Sequence, residues 1–462
     1  MDKADHGEQA PGAKLLAWST AALLVLSWIL GGVTQDSTSA DEILQLLALP
    51  VLMLAVLVLL RHQPAPLLRV AVMLAVAIVA LPALQLLSIP ASIANLSAAR
   101  HAIQGDLAIA AVVNAPTHLG VSRFASERAL WSLLPALAVF LGMLALPQRE
   151  IGRMLTLVLV LALASAVFAF FQLSLPDGSS LLLYTEWGRN FGGAFANPNH
   201  QGTALSIAAV ISAALFIQGR RIRKRQPESH RYWLYAFLCM ACVAMVPLAN
   251  GSAAMLLVIS GILVVVFMSG ALDMKAFRSG NGGRLALVAM LAAMLVLAAS
   301  AFALQKSETD RRIIAATTLR IGAQFAPTGA GVGTFVPIYG QYQDLTVARS
   351  EVINHAHNEY VQWWLEGGVI ALLVLAAGLG LFVWAGWQAL ARTPSSRLRT
   401  IASAAWTSLL VLLMHSLVDF PLRTSALMAT AGLLAGLLFN VLELARQEGR
   451  ARKRRDEAAQ RA

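Results

Sequence analysis

Asn354-His-Ala-His-Asn-Glu-Tyr-Val-Gln-Trp-Trp-Leu-Glu-Gly-Gly-Val-Ile-Ala-Leu-Leu-Val-Leu-Ala-Ala-Gly-Leu-Gly-Leu-Phe382 passes within a few residues from a polar stretch with paired histidines into a long apolar run. About twenty apolar residues are what an α-helix needs to cross the hydrocarbon layer of a bilayer. Runs of that kind also begin near Leu15, Ile43, Leu67, Ala129, Met154, Thr203, Tyr232, Gly251, Leu285, Ile401 and Thr424. With 58% hydrophobic residues, 13% charged residues and a mean hydropathy of +0.68, the 462-residue chain lies outside the range of soluble domains. It reads as an all-α polytopic membrane protein with about 12 transmembrane helices. The first run is too long for a signal-peptide core and lacks a net positive flank, so it is expected to remain as an anchor.

The largest interruption is the polar segment 306–368, most of it a loop between the ninth and tenth runs. Most of the 35 Lys and Arg residues fall in alternate connections, including the Arg220 to Arg225 cluster and the tail after Ala445. That bias puts both termini in the cytoplasm and makes the formal charge of +11 a topology signal rather than a nucleic-acid footprint. Connections 34–42, 90–128, 176–202, 306–358 and 420–424 then share the opposite face, which in a bacterium is periplasmic. Nucleotide sugars are absent there, so a transferase on that face needs a donor already carried across the membrane on a lipid. The organisation expected is N-terminal helices over 1–185, a second transmembrane unit over 186–445 holding the large loop 305–358, and a basic cytoplasmic tail over 446–462. Cys239 and Cys242 form a CxxC inside an apolar run, which reads as packing rather than a redox or metal pair.

The residues able to carry chemistry crowd the non-cytoplasmic face. His355 and His357, with Asn358, stand at the start of a helix, whose partial positive charge disfavours protonation of a histidine and favours anionic ligands. They read as a general base, as structural hydrogen-bonding groups, or as two metal ligands for which no third or fourth is apparent. Arg311, Arg312 and Arg320 lie just after a membrane run, where planar guanidinium forks could hold a lipid diphosphate or simply face solvent. Arg189 is a further cation of the same kind. Gly329, Gly331 and Gly333 match neither a P-loop nor a dinucleotide fingerprint and read as a tight turn that lets backbone approach a helix. Asn197 and Asn199 flank a proline at a helix start, where they could cap the helix, or, with His200, contact sugar hydroxyls. His415, Asp419 and Arg423, spaced four apart, are expected to share one helix face, lining a polar cavity or forming a structural ion pair.

Taken together, Asn197-Pro-Asn199, the arginines leading to Gly331-Val-Gly-Thr-Phe335, and His355-Ala-His-Asn-Glu-Tyr-Val-Gln-Trp-Trp-Leu-Glu-Gly-Gly368 resemble the O-antigen ligase and O-antigen polymerase superfamily. The resemblance covers residues 190–440 well, and the first helices by topology alone. It implies a GT-C-like fold and an inner-membrane, metal-independent glycosyltransferase without a cofactor, moving a glycan from undecaprenyl diphosphate to a hydroxyl acceptor. His357 would be the essential histidine, and Arg311 or Arg312 the arginine on the diphosphate. The lipid bilayer, a chain-length regulator and a flippase are the partners to expect, with no nucleic acid. Ala253 stands where ligases usually carry an arginine, and Ala371 where a second glycine usually follows Gly368, which points to polymerising O-antigen or exopolysaccharide units. Lipid A-core ligation and protein O-glycosylation are the alternatives within the class, and a transporter the alternative outside it.

Overall fold

The structure is a computed structural model that describes residues 11–33, 39–62, 64–90, 92, 97–112, 117–184, 189–223, 230–249, 252–271, 308–343 and 352–461. The elements are α1 (Pro11–Leu30), α2 (Ser39–His62), α3 (Pro66–Gln85), α4 (Ala98–Ile109), α5 (Arg123–Ser132), α6 (Leu134–Ala145), α7 (Gln148–Ser174), α8 (Pro198–Arg223), α9 (Arg231–Met245), α10 (Ser252–Ser269), α11 (Glu308–Gln324), α12 (Phe335–Tyr342), α13 (Glu359–Trp387), α14 (Ser396–His415) and α15 (Ser425–Arg461). The chain is an all-α, multi-pass membrane protein. Among the described residues, ten helices or helix pairs are long and apolar enough to span a bilayer, and Ala253–Ser269 is a shorter apolar one. The run from Leu285 lies outside the described residues, so the expected dozen is matched as far as it can be followed.

Burial sorts the helices into a centre and a rim. The apolar windows of α8, α14 and α15 are 78% buried, against 17% for α13 and 22% for α3. Apolar side chains left exposed on a rim helix face lipid, which solvates them as well as a core would. The central helices carry small polar residues where they pack closely, and those hydroxyls bond back to their own helix: Ser206 Oγ to Gly202 O at 2.8 Å, Ser403 Oγ to Arg399 O at 2.7 Å. Asn440 of α15 serves the end of α6, its Nδ2 donating to Met143 O at 2.9 Å and Leu146 O at 2.8 Å, which gives helix-end carbonyls the partner that lipid cannot.

At the opposite end from this tie, the polar segment folds onto α13. Gly368, inside that helix, has φ of 57°, so the helix breaks there, and the turn 327–331 docks against the break. Ala330 N donates to Leu365 O and Gly331 N to Glu366 O, each at 2.8 Å, and Val369 N returns a bond to Pro327 O at 2.9 Å. A Cβ on Gly329 would stand 2.6 Å from Glu366 O and Gly368 N, so the glycines are there to let two backbones meet. Arg100 of α4, buried, adds its guanidinium to Gly329 O at 2.7 Å and to the carbonyls of His118 and Leu119, pulling the 90–128 connection into the same assembly.

Candidate active site

α14 ends at His415, and its last carbonyls are taken up by the turn that follows: Val418 N and Asp419 N both donate to His415 O at 2.9 Å. This turn places Asp419, with no solvent exposure, at the outer ends of α8 and α13. Asn197 precedes the Pro198 that starts α8, and its side-chain oxygen accepts from Asn199 N at 2.9 Å, a capping arrangement. The two amides then point their NH2 groups at one carboxylate oxygen, Asn199 Nδ2 at 2.8 Å and Asn197 Nδ2 at 3.4 Å from Asp419 Oδ2. The other oxygen, Oδ1, accepts from Phe420 N at 3.0 Å and lies 3.4 Å from His357 Nδ1.

His357 gets there through its backbone. Its φ is 51°, a left-handed conformation uncommon outside glycine, and it turns the ring away from that of His355 two residues earlier. Asn358 caps α13, its Oδ1 accepting from Tyr360 N and Val361 N at 3.1 Å while its Nδ2 donates to Leu417 O at 3.0 Å; it is a supporting residue that locks the histidine stretch to the α14 turn. Arg311 of α11 donates to Val418 O at 3.3 Å, next to Asp419. Burial alone would raise the Asp419 pKa, but the His357 ring, His200 and Arg311 outweigh it and hold the carboxyl well below its ordinary value.

Phe420 separates this cluster from a second one. His355 and His357 both lie against its ring, with centroids at 4.4 and 4.9 Å, and His200 meets it edge-on at 5.3 Å. His355 is bonded to Gln362 Nε2 at 3.3 Å, and that amide also donates to Glu366 Oε1 at 2.9 Å. Glu366 is paired with Arg423 at 2.9 Å, and Glu359 Oε1 accepts from Leu422 N at 2.7 Å. These groups line one part of a cavity of about 1180 Å³, together with Asp41, Glu42, Gln45 and Arg128 and apolar side chains of α2, α3, α5, α6 and α12 to α15.

Residues 193–376 match the family model described as O-Antigen ligase. The chain carries an O-antigen ligase domain. Over that segment the chain is similar to membrane proteins of the O-antigen ligase type, and no curated protein matches it. The matched segment supplies Asn197, Asn199, Arg311, His355 and His357, while Asp419 and Phe420 come from beyond its end.

Several expectations change against this geometry. Arg423 does not share a face with His415 and Asp419: the helix stops at His415, Pro421 opens a short 3-10 turn, and Arg423 swings to Glu366 on the far side of Phe420. The Asp419 carboxylate serves His357 and the asparagines, while the His415 ring contacts Thr203 Oγ1. His200 is fully buried against Phe420 and Phe195 rather than presented to a sugar. Of the four arginines read as diphosphate ligands, Arg311 reaches the cluster. Arg189 is engaged by Asp177 at 2.6 Å, and Arg312 and Arg320 lie on the exposed side of α11. Among the described residues no group of three or more His, Cys, Asp or Glu is arranged to hold a metal ion. Gln362 and Glu366 extend from Glu359 a polar stripe whose i, i+3, i+7 spacing on an apolar helix is readable in the sequence.

Proposed function

We propose that the O-antigen ligase domain transfers a glycan from a polyprenyl diphosphate donor, of the undecaprenyl type, to a sugar hydroxyl. Its product in this reading is a lengthened O-antigen or exopolysaccharide chain. The observation that carries this reading is convergence: the His357 imidazole and the Asn197 and Asn199 amides meet at the buried Asp419 carboxylate, Arg311 bonds the neighbouring Val418 carbonyl, and across Phe420 from His357 the ring of His355 lines a cavity of about 1180 Å³.

In this reading His357 Nε2 takes the proton of the acceptor hydroxyl as that oxygen bonds to the anomeric carbon. The bond from that carbon to the diphosphate oxygen breaks, and the electron pair leaves on the diphosphate. Such a leaving group needs charge stabilisation rather than a proton, and Arg311 is the cation placed to give it, with Arg312 beside it on α11. The carboxylate pair of a glycosidase is not required, because no poor leaving group has to be protonated. The cationic bias of the alternate connections supports placing both termini in the cytoplasm and the site at the periplasmic side of the inner membrane. A flippase and a chain-length regulator would then act beside it.

The test is to incubate the purified protein with a lipid-diphosphate oligosaccharide alone. Lengthened lipid-linked chains support polymerisation; product that appears only after core lipid or acceptor protein is added assigns ligation instead. His357→Ala should abolish either product with the protein still folded, and full activity in that variant would overturn the mechanism.

A further inference from the structure

Given a chain that transfers glycans, as proposed above, we infer that Phe420 is the gate between the cavity, which receives the acceptor saccharide, and the His357 base: its ring stands between them and moves aside as the acceptor hydroxyl enters. The side chains lining the cavity include His355, Leu422 and Arg423, whereas His357, Asp419 and Arg311 lie outside it. An acceptor held in the cavity therefore reaches the imidazole only if something between them shifts. Phe420 occupies that place. It is 4% exposed, and its ring centroid lies 4.4 Å from that of His355 and 4.9 Å from that of His357.

The occupant follows from charge. Asp41, Glu42, Glu359 and Glu366 line the cavity against Arg128 and Arg423, and Arg423 is itself paired with Glu366 at 2.9 Å. An excess of carboxylates repels a diphosphate, whereas sugar hydroxyls donate to them. Two features mark the ring as able to move. It belongs to a turn between the end of α14 at His415 and the 3-10 turn that opens at Pro421, so no helix fixes its backbone, and a benzyl side chain has no hydrogen bond to break. Behind it His200 is fully buried, and among the described residues neither of its ring nitrogens has a hydrogen-bond partner. A buried imidazole in that state is costly, and a saccharide hydroxyl admitted past Phe420 supplies a partner. The ring also keeps water from the space beside His357, where water would take the acceptor's role. In that side reaction the water oxygen bonds to the anomeric carbon and its proton passes to Nε2. The bond to the diphosphate oxygen breaks, with the electron pair leaving on the diphosphate.

The experiment follows purified Phe420→Ala, Phe420→Leu and Phe420→Trp on a lipid-diphosphate oligosaccharide, counting transferred glycan and glycan released to water separately. Phe420→Ala should raise the share released to water about tenfold, because water enters where the ring stood. Phe420→Trp, a larger plug, should lower kcat about tenfold with KM changed by no more than about twofold and the share released to water unchanged. Combined with His357→Ala, Phe420→Ala should release no glycan, since the same base serves both reactions. A merely packed ring predicts less of both products in Phe420→Ala at an unchanged ratio. That result, or wild-type kcat in Phe420→Trp, overturns the gate while transfer by the wild type keeps the reading it rests on. Wild type that forms neither product, or a fully active His357→Ala, removes both. If Phe420→Ala does not fold, Phe420→Leu decides: the share released to water must rise about threefold, and an unchanged share overturns the gate.

Discussion

Arg423→Ala should cost the protein about 3 kcal/mol of stability, because it takes the guanidinium away from the buried Glu366 carboxylate and leaves it the Gln362 amide. The pair is bidentate, with guanidinium nitrogens 2.9 and 3.5 Å from the two carboxylate oxygens, and the side chains are 18% and 1% exposed. At that separation and an effective dielectric constant near 20, the attraction is roughly 5 kcal/mol before desolvation is subtracted. The net loss on removing one partner then falls near the lower end of what broken buried pairs cost. Replacing both groups by apolar ones, Arg423→Met with Glu366→Leu, removes the uncompensated charge and should recover at least half of the loss. Unfolding of the purified protein in detergent, followed for the two single variants and the double, gives the coupling. A penalty below about 1 kcal/mol for Arg423→Ala, or a double variant as unstable as the sum of the singles, would refute the account of this pair as a buried, unscreened one.

Two further expectations concern stability. Gly368→Ala should destabilise by about 2 kcal/mol or more, since φ is 57° and a Cβ there would press on the Pro327 carbonyl and lie 2.6 Å from Gly329 N. Gly380→Ala on the same helix, with open space around it, should be neutral or stabilising by up to about 1 kcal/mol, and equal effects from the two would contradict the role given to the break. The carboxyl of Asp419 has a folded pKa below its unfolded value, so the stability it contributes is complete above about pH 4 to 5 and is lost as pH falls through the folded pKa. An acid titration of thermal stability should therefore be flatter in Asp419→Asn than in the wild type, and parallel curves would argue against that charge.

The membrane architecture was readable because a bilayer demands long apolar runs, and composition alone reports them. The histidine stretch and the asparagine-proline turn were also readable, because both stand where a polar segment meets a helix start. What the sequence could not show was direction. His355 and His357 differ by two positions and look alike on paper, yet the left-handed backbone at His357 turns them to different surroundings around Phe420. The four-residue spacing of His415, Asp419 and Arg423 implied a shared face only while a helix continued, and α14 ends at the first of them. Arg189 looked available for a ligand until folding set it against Asp177, twelve residues earlier. The central place of Phe420 left no mark in the sequence, since an aromatic before a proline in a short turn is unremarkable there.

The break at Gly368 divides α13 into two parts with different attachments. Residues 359–367 are bolted to soluble-side scaffolding, through Ser416 O, Leu422 N, Gln85 and the glycine turn, while the stretch beyond stands among lipid chains with little protein around it. A straight, unbroken rod would carry every sway of the bilayer into the two imidazoles. With a joint there, the apolar shaft can tilt while the histidine end stays tied to the α14 turn and the glycine turn by its backbone hydrogen bonds.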